Sequence, residues 1–432
     1  MLSTKPNTLC LAPWTHTYLS PQTERRMCCA SREPAQNFQQ YIDVRAGTGR
    51  YIPITLDEHW NSGHMRSVRQ RMMAGEVLPE CEVCNDKLLN TSVYRSYFDS
   101  LFGHKYNEVV ASTDATGYTT MKPVSWDYRF SNLCNFKCRM CGDMLSSAWE
   151  SEQRQHDMIN WHDSKNNWMK PEIKQQIEQF QDTQIEAEFS QAVEEHRVEE
   201  VYWVGGEPLM YEQHWRYMKR IIELGDGPNV YARYNTNLSR VNYKGINLFT
   251  DILNGLRDWQ ICASLDGTGA IGEYIRTGLD YDTWLENFRE GLKIRRHSRQ
   301  VRIDFTLTLP GMFEVAHIGR LAQELNVDVL AKVVFSFSPD IVMSPLSLPK
   351  EILHPWIDET LTVVENNPLK DILVQLKTRP TFAEQWPNEY AESIARGKAR
   401  VLQLEKIRGD TYTMADILKQ RPDVYEWWQS IS

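Results

Sequence analysis

The pattern of apolar and polar positions changes near Val124. Beyond that residue, short runs rich in β-branched and aromatic side chains predict strands at 124–130, 199–204, 229–235, 259–265, 301–308 and 328–337. Helical spacing lies between them at about 210–224, 245–257, 281–297 and 313–325. Strand followed by helix, repeated, predicts an α/β fold of parallel β/α units. Six units are too few for an eight-stranded barrel but suit a partial one.

The pattern outside these units is simpler. Residues 1–100 are loop-rich, with a hairpin expected through Pro21 and one helix at about 62–75. Residues 150–198 form an insertion whose helix begins at Pro171. We interpret it as an amphipathic helix packed outside the barrel, with a substrate lid or partner surface as the alternative. After Pro345 the spacing predicts helices to the end of the chain.

Composition and charge narrow the class of protein. The chain has 432 residues, 41% hydrophobic and 24% charged, as in a globular protein. Its formal net charge of −9 offers no electrostatic attraction to nucleic acid or an anionic membrane. No apolar run has the length of a membrane span, and the first residues lack a signal-peptide core. We therefore expect a cytoplasmic protein, in which cysteines are metal ligands or free thiols rather than disulfides.

One cysteine group has the spacing C-x3-C-x2-C: Cys134, Cys138 and Cys141. Three thiolates at this spacing suit three irons of a cubane and leave the fourth iron without a protein ligand. An open metal position is what a catalytic site requires, whereas a structural zinc site is closed by four ligands. A zinc site that borrows Cys262 or a histidine is the alternative.

The N-terminal cysteines suggest a second metal site. Cys10, Cys28, Cys81 and Cys84 make a set of four thiols, with Cys29 as a spare thiol or alternative ligand. Their spacing fits a zinc site and a fully ligated [4Fe–4S] cluster equally well, and zinc is the commoner outcome.

A glycine-rich turn follows the second predicted strand. Gly205 and Gly206 allow the backbone to approach a ligand closely, and Glu207 offers a carboxylate to an ammonium group. C-x3-C-x2-C followed by a strand and Gly-Gly-Glu-Pro resembles the radical S-adenosylmethionine (SAM) superfamily, over about residues 122–340. The resemblance implies a partial (β/α)6 barrel. It also implies reductive cleavage of SAM on a [4Fe–4S] cluster to a 5′-deoxyadenosyl radical, which abstracts hydrogen from a substrate.

Several positions match the SAM-binding residues of that family. Gly205, Gly206 and Glu207 resemble its site for the SAM amino group. Ser264 and Asp266 resemble its fourth-strand motif near the ribose and methionine moieties.

Of three further positions, two match residues of the family and one departs from them. Arg276 resembles the arginine that pairs with the SAM carboxylate, a task suited to a planar guanidinium. Asn235 ends the third strand, where family members carry a polar tip. Met140 departs from the aromatic residue often found before the last cysteine, but it can still make an apolar contact with adenine.

The N-terminal motifs resemble the SPASM and twitch modules, which hold auxiliary [4Fe–4S] clusters. They are C-x2-P-W, a Cys-Cys pair, a helix with R-x2-R-x2-M, and C-x2-C. Four ligands imply one cluster, as in twitch, although such modules usually follow the barrel. The implied domains are 1–121 for this module and linker, 122–345 for the barrel and 346–432 for a helical C-terminal extension.

The resemblance favours a net oxidation, because an auxiliary cluster can accept an electron. A peptide or protein side chain is the first expected substrate, and a small amino-sugar or polyol the second. An electron donor such as flavodoxin or ferredoxin is implied. A non-catalytic, zinc-stapled scaffold is the alternative of another class. No catalytic acid or base stands out in the sequence.

Overall fold

The computed structural model describes residues 8–31, 51–87, 94–334 and 340–432. Their strands are β1 His16–Leu19, β2 Arg25–Arg26, β3 Ser125–Tyr128, β4 Glu200–Trp203, β5 Tyr231–Thr236, β6 Asn242–Tyr243, β7 Ile246–Asn247, β8 Asp258–Ser264, β9 Val301–Leu307 and β10 Asp328–Val333.

The helices follow in the same order along the chain. They are α1 Ala12–Thr15, α2 Leu56–Trp60, α3 Gly63–Met73, α4 Glu82–Lys87, α5 Tyr94–Phe102, α6 Tyr106–Ser112, α7 Ser147–Gln155, α8 Pro171–Phe180, α9 Glu186–Glu194, α10 Glu212–Glu223, α11 Gly269–Ile275, α12 Tyr281–Ile294, α13 Val315–Glu324, α14 Lys350–Val363, α15 Asn367–Thr378, α16 Phe382–Gln385, α17 Tyr390–Arg408, α18 Met414–Leu418 and α19 Pro422–Ser430.

The chain groups into two compact units. The first comprises Met1–Leu133, Ser151–Arg233 and Asp251–Asp258, and the second Cys134–Glu150, Tyr234–Thr250 and Trp259–Ser432. The domain boundaries expected from the sequence stay a prediction, because these units do not test them.

The first unit contains a sheet in which β1, one arm of the expected hairpin, also makes a parallel pairing that was not predicted. β1 pairs with β2 in the expected antiparallel hairpin and with β3 in parallel, so that Tyr18 lies opposite Asp127. β3 in turn pairs in parallel with β4. A four-residue strand in a loop-rich stretch carries little periodic signal, and its partner lies about a hundred residues away in the chain.

One face of this sheet is aromatic. Trp126, Tyr128 and Trp203 each place their rings within 6.3 Å of Phe189, measured between centroids. Phe189 belongs to α9, and a π-helical turn, Gln181–Ile185, joins α9 to α8. The insertion helix predicted to begin at Pro171 is therefore confirmed as a packed helix, with Phe189 fully buried.

Cys10, Cys28 and Cys81 lie in a small apolar core of the first unit. Helix α3, predicted at 62–75, begins after Ser62, whose hydroxyl accepts a hydrogen bond from Met65 N. The core buries, among others, Leu9, Leu11, Trp14, Met65, Val68 and Met72.

The second unit contains the parallel strands β8, β9 and β10. The helices expected after Pro345 are confirmed as α14 to α19. Helix α17 ends at Gly409, whose φ of 65° is the left-handed conformation that favours glycine.

The six predicted strands are found, each within a few residues of its predicted bounds, and the part of the last one beyond residue 334 lies outside the described residues. The fold is α/β with parallel strand pairs in both units. The partial barrel stays a prediction. Among the described residues, no helix is both long enough and apolar enough to cross a membrane.

Candidate functional site

The three-cysteine loop lies in the second unit and is held by backbone hydrogen bonds. Lys137 N donates to Thr277 O at 2.8 Å, and Arg139 N donates to Ile275 O at 2.8 Å. Cys138 is buried, whereas Cys134 and Cys141 are half-buried. The segment after α11 thus pairs with the loop much as a neighbouring strand would.

Residues of α7 and the turn before it also support the loop. Ser147 Oγ accepts a hydrogen bond from Cys134 N at 3.2 Å, and Trp149 Nε1 donates to Cys138 O at 2.7 Å. Ser146 Oγ donates to Phe136 O at 2.6 Å. These bonds satisfy main-chain groups of an irregular loop.

Arg276 joins two other residues predicted for the site. Its Nε lies 2.7 Å from Asp266 Oδ2, and its Nη1 lies 3.8 Å from Cys138 Sγ. Asp266 is fully buried, and its other carboxylate oxygen accepts a hydrogen bond from Thr306 N at 2.7 Å. The guanidinium is therefore fixed beside a cysteine of the loop.

The electrostatics of this group suit a metal-bound thiolate. Burial raises the pKa of Cys138 to about 12, and the positive charge of Arg276 opposes that rise. A desolvated thiol stays protonated unless a cation stabilises its anionic form. A bound iron would supply that stabilisation, so the residues present fit the cluster.

Two further predicted residues of the second unit, Ser264 and Asn235, lie beside Asp304. Ser264 lies opposite Asp304 in the pairing of β8 with β9. Asn235 Nδ2 donates to Asp304 Oδ2 at 2.9 Å, and Lys332 Nζ lies 2.8 Å from both carboxylate oxygens. Met140 is half-buried in the loop. Lys332 was not predicted from the sequence as a residue of the site.

The Gly-Gly-Glu turn lies in the first unit. Gly205 has a φ of 126°, and a Cβ on Gly206 would lie 2.2 Å from Leu133 O. Glu207 N donates to the same carbonyl at 2.7 Å. The close approach at Gly206 is thus to the chain itself. The Glu207 carboxylate is 1% exposed and accepts a hydrogen bond from Leu209 N at 3.0 Å.

The four N-terminal cysteines predicted as ligands line one small pocket in the first unit. Burial raises the pKa of Cys10 to about 12 and that of Cys81 to about 11. Of the two adjacent thiols, Cys28 lines the pocket, whereas Cys29 hydrogen-bonds Tyr94. No three described His, Cys, Asp or Glu side chains are spaced to hold a single metal ion.

Cys262, in β8, is buried as expected of a small apolar side chain. It shares its strand with Ser264. None of the nine cysteines forms a disulfide in the structure.

Comparisons with known proteins add two partial likenesses. No protein-family model and no curated protein matches the chain. A crystal structure of Streptococcus suis SuiB bound to S-adenosylmethionine is 12% identical, with a TM-score of 0.34 over 77% of this chain and 65% of that one. A structure of TYW1 with a lysine-pyruvate adduct bound is 12% identical, with a TM-score of 0.30 over 66% of this chain and 90% of that one.

The chain thus spans just under two thirds of the SuiB chain. Both TM-scores lie below 0.5, so the function proposed below rests on the residues of this chain.

Sequence reasoning missed a second group of polar residues, on the strands of the first unit. Ser125, Asp127 and Arg129 alternate with the aromatic residues of β3 and its extension. Glu200 and Tyr202 alternate in the same way in β4. This period of two was the signal that could have identified a polar face.

Proposed function

We propose that this protein is a radical SAM enzyme whose catalytic [4Fe–4S] cluster is held by Cys134, Cys138 and Cys141. The observation that carries the proposal is the hydrogen-bonded three-cysteine loop with the Arg276–Asp266 pair against it. Three thiolates leave one iron open, and the bound cluster would supply the electron that cleaves SAM there. The partial barrel and the cytoplasmic location remain parts of this proposal.

The chain's own residues prepare that site electrostatically. Arg276 points one N–H group at Cys138 Sγ, which stabilises negative charge on the sulfur. Asp266 holds the guanidinium in place, and Thr306 N holds Asp266. Because Asp266 is fully buried and Arg276 nearly so, little solvent screens these charges.

We assign the pocket of Cys10, Cys28, Cys81 and Cys84 to an auxiliary [4Fe–4S] cluster of the twitch kind. In a cubane each thiolate binds a different iron, whereas a structural zinc ion gathers four sulfurs at about 2.3 Å around one centre. The four predicted ligands line one pocket, and the resemblance of their motifs to the twitch module supports the cluster over zinc.

An auxiliary cluster favours a net oxidation, since it offers a place for an electron removed from the substrate. We therefore propose oxidative modification of a peptide or protein side chain, with electrons supplied by a flavodoxin or ferredoxin. Dehydrogenation of a small amino-sugar or polyol is the alternative.

The decisive experiment measures 5′-deoxyadenosine. The protein is purified without oxygen, reconstituted with iron and sulfide, reduced, and incubated with SAM. We expect the product from the wild type and from Cys262→Ala, which removes a buried thiol outside the loop. Cys134→Ala should form none, because it removes an iron ligand. A reconstituted, reduced wild type that yields no 5′-deoxyadenosine would contradict the proposal.

The same preparations test the auxiliary site through their metal content. The wild type should hold about eight irons per chain and Cys81→Ala about four, if each site holds a cubane. Colourless protein that contains zinc instead would favour the non-catalytic scaffold.

A further inference from the structure

The sheet of the first unit has a polar face that the proposed SAM chemistry does not use. Side chains two residues apart point to the same side of a strand, and strand pairing sets Tyr18 opposite Asp127 and Ser125 opposite Glu200. We call this set the polar sheet face. Its charged and aromatic members are Tyr18, Asp127, Arg129, Glu200, Tyr202 and Arg233.

Most charges on this face already have partners. Asp127 Oδ1 accepts a hydrogen bond from Arg129 Nε at 3.1 Å. Glu200 accepts hydrogen bonds from Ser125 Oγ and, at 2.8 Å, from Tyr97 OH. Both carboxylates are at most 1% exposed. The two acids and Arg129 are therefore satisfied within the protein.

Arg233 is different. Its guanidinium lies 3.7 Å from the ring centroid of Tyr202 and 4.4 Å from that of Tyr97. Within the described part of the chain, no residue accepts a hydrogen bond from Arg233 or forms an ion pair with it, and its Nε is buried. Its Nε–H is thus a buried donor without an acceptor among the described residues, and an unpaired buried N–H is costly. This arrangement is typical of a site that a ligand completes.

The residues around Arg233 indicate which ligand. A planar guanidinium matches the two oxygens of a carboxylate. Buried Glu200 is close enough to act electrostatically on Arg233, and Asp127 lies in the same row of the sheet as Tyr202. The negative charges of these two carboxylates would repel a doubly charged phosphate more than a singly charged carboxylate. We propose that Arg233, held between Tyr97 and Tyr202, binds a carboxylate group of the substrate.

The position of Arg233 links this site to the auxiliary pocket. Tyr94 lines that pocket and hydrogen-bonds Cys29. Cys29 in turn lies within electrostatic reach of Arg233, Arg129 and Asp127. Cys29, Arg129, Tyr202 and Arg233 are each half-buried, so each keeps some contact with solvent. A ligand anion bound at Arg233 would therefore offset the positive charge that acts on Cys29. The inference rests on the proposed function only in naming the ligand a substrate.

The test is equilibrium binding to the anaerobically purified holoprotein by isothermal titration calorimetry. The probes are N-acetylglycine, its uncharged amide N-acetylglycinamide, and inorganic phosphate. We expect saturable binding of N-acetylglycine alone. Arg233→Met, which keeps an apolar chain between the tyrosines, should weaken that binding by about tenfold or more, the loss typical of charge-assisted hydrogen bonds. Arg233→Lys keeps the charge without the fork and should bind with intermediate affinity.

Arg220→Gln is the matched control, because Arg220 is an exposed arginine of the same unit, paired with Glu194. It should bind N-acetylglycine as the wild type does. Equal affinity for the acid and the amide, tighter binding of phosphate, or an unchanged affinity in both Arg233 variants would each overturn the inference. Melting curves show whether Arg233→Met is folded, and Arg233→Lys serves if it is not. Wild-type SAM cleavage is measured separately, so failure of the proposed function and failure of carboxylate binding remain distinguishable.

Discussion

At the scale of single residues, the contacts of Gly206 explain why the Gly-Gly-Glu turn needs a glycine at this position. The missing Cβ would lie 2.2 Å from the carbonyl oxygen of Leu133, and Glu207 N donates a hydrogen bond to that same oxygen. A side chain at this position would push the two segments apart. Arg276 is a second residue whose role comes from its neighbours, since Asp266 determines where its donors point.

Gly206→Ala tests the first of these contacts. The added methyl group must displace Leu133, so we expect a loss of about 1–3 kcal/mol in the free energy of unfolding, the usual range for overpacking. Gly63→Ala is the matched control, because nothing lies within 4 Å of its Cβ position at the start of α3. Urea unfolding monitored by circular dichroism measures both. Equal stabilities of the two variants would contradict the expectation.

At the scale of elements, the end of α17 contacts the three-cysteine loop within the second unit. The guanidinium of Arg139, 1% exposed, is paired with Asp410 and also donates to Tyr274 O at 2.9 Å. Tyr274 OH donates to Glu405 at 2.7 Å, and Arg408 Nη1 donates to Thr277 Oγ1 at 3.1 Å. The C-terminal extension thus stabilises the loop from outside.

Asp410→Asn tests this support. It removes the charge opposite a buried guanidinium, and we expect a loss of about 2 kcal/mol, as for a hydrogen bond to a charged group. Amide hydrogen exchange of Lys137 and Arg139, whose N–H groups bond Thr277 and Ile275, should speed up.

Glu392→Gln, on an exposed turn of α17, is the control and should leave both amides unchanged. Unchanged exchange in Asp410→Asn would mean that the extension does not hold the loop. The measurement needs no bound cluster.

At the scale of the whole molecule, the burial of neutral histidines makes stability depend on pH. His214 of α10 is fully buried between Trp203 and Trp215, and burial lowers its pKa from 6.5 to about 3. The unfolded chain binds a proton below pH 6.5, whereas the folded chain does not until about pH 3. The contribution of His214 to the free energy of unfolding is therefore fully present above pH 6.5 and is lost as the pH falls toward 3.

His214→Phe should reduce that dependence. Between pH 6.5 and 4.5 its free energy of unfolding should fall less steeply than that of the wild type, by up to about 1.4 kcal/mol per pH unit. Urea titrations at several pH values measure the slope. His162→Gln, at an exposed position of the same unit, should keep the wild-type slope. Parallel pH profiles for His214→Phe and the wild type would refute the prediction.

Local patterns located most of the predicted elements and selected the candidate ligands. The helix expected at 245–257 was wrong: Ile246–Asn247 form β7, and a π-helical turn and a 3-10 turn follow it. Apolar runs located the six strands, helical spacing located α3 and the insertion helix, and cysteine spacing selected the thiols that line the N-terminal pocket. These features depend on residues a few positions apart, so a single sequence records them.

Contacts between distant segments could not be obtained in this way. The pairing of β1 with β3, the approach of Leu133 to Gly206 and the hold of Asp410 on Arg139 join residues 70 or more positions apart. Among the described residues, none accepts a hydrogen bond from Arg233, whereas Asp127 accepts one from Arg129, and this difference depends on where the neighbouring side chains lie. Packing of the whole chain decides such contacts, because each forms only where others have already brought the segments together.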